Sequence, residues 1–286
     1  MSGNASNEGV LYVVATPIGN LQDMSLRAID ILKSVDLVAA EDTRHTRKLF
    51  TYHGIATPLL AVHEHNERDV TGRLLARLAA GERIALVSDA GTPLISDPGF
   101  VLVRAAREAG VRVVPVPGAS ALVTALSVSG LPTDRFRFEG FLPPRQAARR
   151  QRLQTLRAQA VTLVFYESSH RIVEALADMA DCLGAARRAV IARELTKTYE
   201  TIHAGTLAEL LDWLQADTNQ QKGEFVVLVH GVEIDPEQLD AAARYALEVL
   251  LEELPLRQAS ALAARITGAP KNRLYEYGLE LKKPTP

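Results

Sequence analysis

Through residues 10–133, short apolar runs alternate with amphipathic stretches. Leu11-Tyr12-Val13-Val14-Ala15 is a continuous apolar run that stops at Thr16-Pro17-Ile18-Gly19-Asn20, the pattern of a buried parallel strand feeding a turn. Ser25 is placed to cap a helix whose apolar face is Leu26, Ile29, Ile31, Leu32 and Val35. Residues 37–40 predict a second strand, ending at Glu41-Asp42-Thr43. Residues 67–80 predict a helix stopped by Gly81, 84–88 a strand, and 100–109 a helix stopped by Gly110. A strand over 111–116 then leads through Pro117-Gly118-Ala119-Ser120 into another helix. This alternation predicts an α/β domain with a parallel sheet.

A second unit opens near Arg135, where Phe136, Phe138 and Phe141 read as a core strand. Residues 161–166 and 189–192 predict further strands, 169–183 and 206–214 helices, and 224–230 a last strand entered from Lys222-Gly223. Beyond Asp235 only helices are predicted, broken at Pro255 and at Gly268-Ala269-Pro270. The expected organisation is therefore two α/β domains, 10–133 and 134–234, followed by a small helical region, 235–286.

Composition narrows the class. With 286 residues, 47% hydrophobic and 23% charged, the chain can bury a sizeable core. Its one cysteine, Cys182, excludes an intrachain disulfide and any multi-cysteine zinc or iron–sulfur site. No run approaches the roughly 20 apolar residues that cross a bilayer. Residues 1–9 carry neither a basic nor an apolar leader pattern, so a cytoplasmic, membrane-free protein is expected. The net charge of −2 gives no general attraction for nucleic acid, so any such binding must rest on a local patch.

Ligands of open α/β sheets bind beyond the carboxyl ends of the strands. The loops expected there are rich in Gly, Pro and short polar residues, and the 11 residues 89–99 hold two Asp, two Gly and two Pro. Such loops let main chain approach a ligand closely. The first strand is followed by no G-x-G-x-x-G, and no G-x-x-x-x-G-K-[ST] occurs, so dinucleotide and P-loop readings lack their phosphate cradle. His170, His63 and His65 lie outside any H-E-x-x-H or carboxylate frame, and no metal is expected.

Six strings, in order, resemble one family: residues 11–20, Ala40-Glu41-Asp42-Thr43-Arg44, residues 87–99, Pro117-Gly118-Ala119-Ser120, Phe165-Tyr166-Glu167-Ser168 and Ala192-Arg193-Glu194-Leu195-Thr196-Lys197. That family is the ribosomal RNA small-subunit methyltransferase I family, within the tetrapyrrole-methylase-like class, and the resemblance spans about residues 10–277. It implies two α/β domains with S-adenosylmethionine held in the cleft between them, commonly within a homodimer. It also implies the substrate: a cytidine 2′-hydroxyl in 16S rRNA of the small ribosomal subunit. By the same resemblance the cofactor-contacting positions are Pro17 and Ile18, Gly91, Thr92 and Ile95, Ser120 and Ala121, Tyr166, Ala192 and Leu195, with a contribution near Phe225.

Methyl transfer of this kind needs the reacting atoms held in line, plus a base or an oxyanion-stabilising cation for the weakly nucleophilic ribose hydroxyl. Glu41, Asp42, Arg44, Glu167, Arg193, Glu194 and Lys197 all fall just past predicted strand ends. Charges placed there must be paired or functional, because burying them alone costs several kcal/mol. The favoured base is Glu41 or Asp42, with Lys197 or Arg193 holding phosphate or oxyanion. For RNA, two segments stand out: Arg145, Arg149, Arg150, Arg152 and Arg157, with no acidic residue between 140 and 166, and a helix-turn-helix-like pattern over 256–275. The first can equally be a solvated helix face, and the second a packing or dimerisation hairpin. A small-molecule tetrapyrrole methylase and a non-catalytic RNA-binding factor are the rival readings. The basic run and the tail weigh against the former, the Gly/Pro loops against the latter.

Overall fold

Five short apolar strands form the first sheet: β1 (Val10–Val14), β2 (Leu37–Ala40), β3 (Leu59–Ala61), β4 (Arg83–Val87) and β5 (Arg112–Val116). They pair in the order β3-β2-β4-β1-β5, every neighbour parallel. The computed structural model describes residues 9–63, 65–233, 239 and 241–281. Residues 1–8 and the boundary expected at 234 lie outside them.

Helices cover both faces, as a parallel sheet requires. On one face α1 (Leu26–Ser34) and α2 (Thr43–His53) bury Ala28, Leu32, Leu49 and Phe50 against Val14, Val38 and Val87. On the other, α3 (Glu67–Ala79) and α4 (Phe100–Glu108) bury Leu74, Leu78, Leu102 and Ala106 against Leu11, Ala39 and Leu86. Ser25 caps α1 as expected, its Oγ accepting from the Ala28 N–H at 3.2 Å. Leu26, expected on the apolar face, is 81% exposed; the first helical position points past the sheet, and Ala28 is buried in its stead. Neither α2 nor β3 is visible in the hydropathy pattern, since α2 carries only two large buried apolar residues and β3 is three residues long.

The neighbours β1 and β4 send their chains to opposite faces, β1 into α1 and β4 into α4. Their loops therefore diverge and leave a crevice at the carboxyl edge.

The second sheet is mixed: β6 (Phe136–Phe141), β7 (Thr162–Ser168), β10 (Glu224–Val229), β8 (Arg188–Arg193) and β9 (Thr201–Thr206), in that order. Only β6 and β7 run parallel. One face packs on α6 (Gln146–Leu156), α7 (Ile172–Leu183) and α8 (Leu207–Ala216) through Leu153, Leu156, Leu176, Met179 and Leu210. The other packs on α5 (Ala121–Ser129), joining Ala125 and Leu126 to Val164, Val190, Val226 and Leu228. Ile18 and Leu195 belong to this same cluster, so apolar packing ties the β1 loop to the second sheet. The core-strand expectation for β6 holds only at Phe138, which packs against this cluster; β6 is an edge, and Phe136 and Phe141 are exposed.

Both sheets lie in one compact unit that ends at Gly231. The second unit, from Val232, has its own small core: Ala243 and Leu247 of α9 (Ala241–Glu253), Ala259 and Ala263 of α10 (Leu256–Thr267), and Leu274 of α11 (Lys271–Leu281). Gly268 ends α10 in the left-handed conformation, at φ 76°, which makes the sharp turn before α11. No helix among the described residues is long and apolar enough to cross a membrane.

Candidate active site

The loops after β1 and β4 are zipped together by main chain. The Thr16 N–H donates to the Gly91 carbonyl at 2.9 Å, the Gly91 N–H returns to the Thr16 carbonyl at 3.1 Å, and the Thr16 hydroxyl donates to the Ser88 carbonyl at 3.1 Å. Gly91 sits at φ 83°, with Ile18 Cγ2 3.3 Å from where a Cβ would stand, so a side chain there would be both strained and crowded. The four described non-glycine residues at positive φ fall in two loops: Leu94 and Ser96 after β4, Glu194 and Thr196 after β8. Each such residue costs on the order of 1–3 kcal/mol, and this kind of strain concentrates at functional sites.

Between these loops lies a cavity of about 290 Å³, near the lower end of the roughly 300–1,000 Å³ of small-molecule clefts. Ile18, Gly91, Thr92, Ile95, Ser96 and Asp97 line it from the first sheet, and Ser120 and Ala121 from the start of α5. Tyr166 and Glu167 of β7, Ala192 and Leu195 at the end of β8, and Glu224, Phe225 and Val226 of β10 line it from the second. Tyr166 is fixed in place: its hydroxyl accepts the Leu122 N–H at 3.1 Å, and its ring meets Phe138 and Phe141 edge-on at 4.9 and 5.7 Å. The Thr92 hydroxyl donates to the Ala119 carbonyl at 3.2 Å, joining the β4 loop to the turn before α5.

Among the described residues, the lining carries three carboxylates, Asp97, Glu167 and Glu224, and no Lys, Arg or His. Glu224 is paired with Lys197 at 2.8 Å. Glu167 Oε1 is paired with Arg171 at 2.8 Å, while its Oε2 is buried in the wall and meets no donor among the described residues. Asp97 has no ion pair among the described residues. Burial pushes its carboxyl up to about 6, the Ser88 hydroxyl partly offsets this, and the negative charges of Glu41 and Asp89 add to the rise. Glu41 and Asp89 stand behind it. The Asp89 N–H approaches Glu41 Oε2 at 3.4 Å and the Asp42 N–H donates to Asp89 Oδ1 at 3.0 Å. Burial, and then Asp89 and Asp42, raise the Glu41 carboxyl as well, against a lowering from the Asp89 N–H.

Of the ten positions expected to hold a cofactor, nine line this cavity. The tenth, Pro17, is buried within the loop after β1. None of the four residues favoured for proton transfer or charge stabilisation lines it. Glu41 lies one carboxylate further back, and Asp42 caps α2 and binds Arg44 through two contacts, at 3.1 and 2.7 Å. Arg193 is buried, with its guanidinium spent on the carbonyls of Lys222 (2.6 Å), Asn219 (3.0 Å) and Tyr199 (3.2 Å). Lys197 bridges Glu194 and Glu224, both at 2.8 Å. Asp97, not among the expected site residues, sits in the loop notable for its composition, where no basic residue falls between 89 and 99.

The arginine run is largely neutralised. Arg149 is 1% exposed and pairs with Asp178 at 2.7 Å; Arg150 meets Asp178 at 2.9 Å and Asp181 at 2.8 Å; Arg152 meets Glu139 at 2.6 Å. Burial would raise the Asp178 carboxyl, but hydrogen bonds from Arg149, Arg150 and Gln146 hold it below the usual carboxylate range.

Two sheets joined through α5, with a carboxylate-lined cavity at the carboxyl edge of the parallel one, define the tetrapyrrole methylase class: the description "Tetrapyrrole (Corrin/Porphyrin) Methylases" matches residues 10–211. A solved uroporphyrin-III-C-methyltransferase from Thermus thermophilus shares the fold at a TM-score of 0.55 and 19% identity, over 78% of this chain and 94% of its own. Residues 237–282 match the RsmI C-terminal HTH domain. The chain is 60% identical to the ribosomal RNA small subunit methyltransferase I of Pseudomonas aeruginosa, over 95% of this chain and 97% of the relative. It is 54% identical to that of Escherichia coli O157:H7, over 96% of each. The chain belongs to the ribosomal RNA small subunit methyltransferase I family. The enzyme class expected from the sequence is the one these relatives carry.

Proposed function

We propose that the protein methylates the ribose 2′-hydroxyl of a cytidine in 16S rRNA of the small ribosomal subunit, with S-adenosylmethionine as donor. The observation that carries this reading is the make-up of the cavity: three carboxylates, of which Asp97 has no ion pair among the described residues, and apolar and main-chain walls for the rest. Such a lining suits a ligand with positive sulfur and ammonium centres and opposes a phosphate-bearing one. Bound S-adenosylmethionine would supply a methyl group on a sulfonium, already activated for transfer.

The chain's own residues do the rest. Ile18, Ile95, Ala192 and Leu195 offer apolar surface to a planar base, while main chain at Gly91 and Thr92 and the start of α5 at Ser120 and Ala121 hold the polar ends. Asp97 takes the hydroxyl proton, since it is the cavity-lining carboxylate that no cation holds ionised and inert. Glu41, the base expected from the sequence, acts one step back by holding the Asp89 main chain and raising Asp97. Arg193 and Lys197 position the β8 loop and Glu224.

Three further features belong to the reading. The protein works in the cytoplasm, where ribosomal subunits are assembled. It forms a homodimer: α5 is apolar on nearly every side, yet Val123 and Val128 are exposed at 60% and 46%. The C-terminal helices grip RNA, with Arg257, Arg265 and Lys271 exposed. The test is incubation with methyl-labelled donor and, separately, small subunits, naked 16S rRNA or a porphyrinoid. Label in ribose of the RNA supports the reading; label only in the porphyrinoid, or in a base, overturns it.

A further inference from the structure

We infer that helix α2 is the surface on which the protein grips the sugar–phosphate backbone of its RNA, with Arg47 and Lys48 as the phosphate contacts. The inference rests on the RNA reading above. Helix α2 carries Arg44, Arg47 and Lys48 and no acidic residue. Together with Thr43 and Thr51 these three line an open concavity of about 420 Å³. Arg47 and Lys48 are exposed and make no ion pair among the described residues. Arg44, at the rim, is held by Asp42 at 2.7 Å with its side chain 89% exposed, so its direction is fixed while its outer face stays open.

The opposite face of the helix is anchored by buried Thr46, Leu49 and Phe50, which gives the cations a rigid base. Rigid cations lose less freedom on binding than those on a loose segment.

Position points the same way. Helix α2 is capped by Asp42, whose N–H is bound to Asp89, and Asp89 adjoins Ala90 in the cavity wall. A backbone lying along α2 thus arrives at the cavity beside Glu41, Asp89 and Asp97. Those carboxylates repel phosphate and accept a neutral ribose hydroxyl, so the charge pattern sets which part of the RNA enters. The arginines within α6 lack this property, because Asp178, Asp181 and Glu139 consume the charge of Arg149, Arg150 and Arg152.

The test compares Arg47→Ala/Lys48→Ala with a matched double variant on α3, Arg68→Ala/Arg73→Ala, in the full chain. Direct binding to small subunits and to naked 16S rRNA is measured across salt concentrations, alongside donor binding. The α2 variant should bind both RNAs about tenfold more weakly at 0.15 M salt, with the slope of log affinity against log salt reduced by about 1–2. Donor affinity and the α3 variant should match wild type. Unchanged RNA affinity and slope in the α2 variant overturn the inference. So does a loss confined to intact subunits, which would make the occupant a ribosomal protein. A wild-type protein that binds RNA but never labels it refutes the methyl-transfer reading and leaves this surface standing; one that binds no RNA refutes both.

Discussion

The two strained loops of the cleft solve opposite problems. After β4, Leu94 and Ser96 at positive φ present Asp97 to the cavity with no cation beside it. After β8, Glu194 and Thr196 at positive φ sit among ion pairs and main-chain contacts that consume every nearby charge: Lys197 with Glu194 and Glu224, Arg193 with three carbonyls. Both segments are charged, Gly- or turn-rich and placed just past a strand. One keeps its charge available for chemistry, and the other spends it on holding shape. Proximity to a strand end brings a side chain to the functional edge. Its partners decide what it does there.

Substitution can break this contrast. The largest effect should come from Asp97→Asn, which keeps the shape and removes the base: methyl transfer should fall by about 10²–10⁴-fold with donor binding retained. With its carboxyl at about 6, wild-type single-turnover rates should rise with pH through that value and then level off, and the variant should lose this rise. Equal rates in both proteins would remove Asp97 from the reaction.

Arg193→Met comes next. It strands carbonyl oxygens of Tyr199, Asn219 and Lys222 and should cost about 2–4 kcal/mol in stability, read as a lower Tm. Turnover per folded molecule should stay within about tenfold of wild type. A full-stability protein with abolished turnover would instead make Arg193 a direct participant.

The sequence carried much of this and missed the rest for definite reasons. The strands β1, β2 and β4 were legible because buried parallel strands are continuous apolar runs, and five of the ten cofactor positions (Pro17, Ile18, Gly91, Thr92 and Ile95) fall on the loops that β1 and β4 feed. Helix α2 was hidden because its exposed face is charged and its buried face short. Arg193 looked functional because the carbonyls that claim it come from residues 199–222, a contact no local pattern reveals. Asp97 was overlooked because the lack of a cation beside it is a property of the fold, not of its neighbours in sequence. Three of the five arginines of 145–157 misled in the opposite sense, since the acidic partners of Arg149, Arg150 and Arg152 lie on β6 and α7.

Smaller effects sharpen the contrast. A carboxyl raised by folding favours the folded state fully below its unfolded value, near pH 4, and that contribution is lost as pH rises through about 6. At pH 8 wild-type Asp97 is therefore ionised at a cost, and Asp97→Asn should be more stable by on the order of 1–2 kcal/mol after allowance for solvent screening. The gain should vanish below pH 4, as urea denaturation at the two pH values would reveal. Lys197→Met should be smallest. Its pairs with Glu194 and Glu224 are partly exposed, so stability should drop by no more than about 1 kcal/mol. Released from Lys197, Glu224 should leave donor affinity unchanged or modestly tighter.

The most direct measurement is titration calorimetry of the full-length wild-type protein with S-adenosylmethionine, repeated with Asp97→Asn. A cavity lined by carboxylates, main chain and apolar side chains should take up one donor per chain in both proteins, and a nucleoside triphosphate should not compete. Absence of binding to the wild-type chain, or displacement by the triphosphate, would contradict the account.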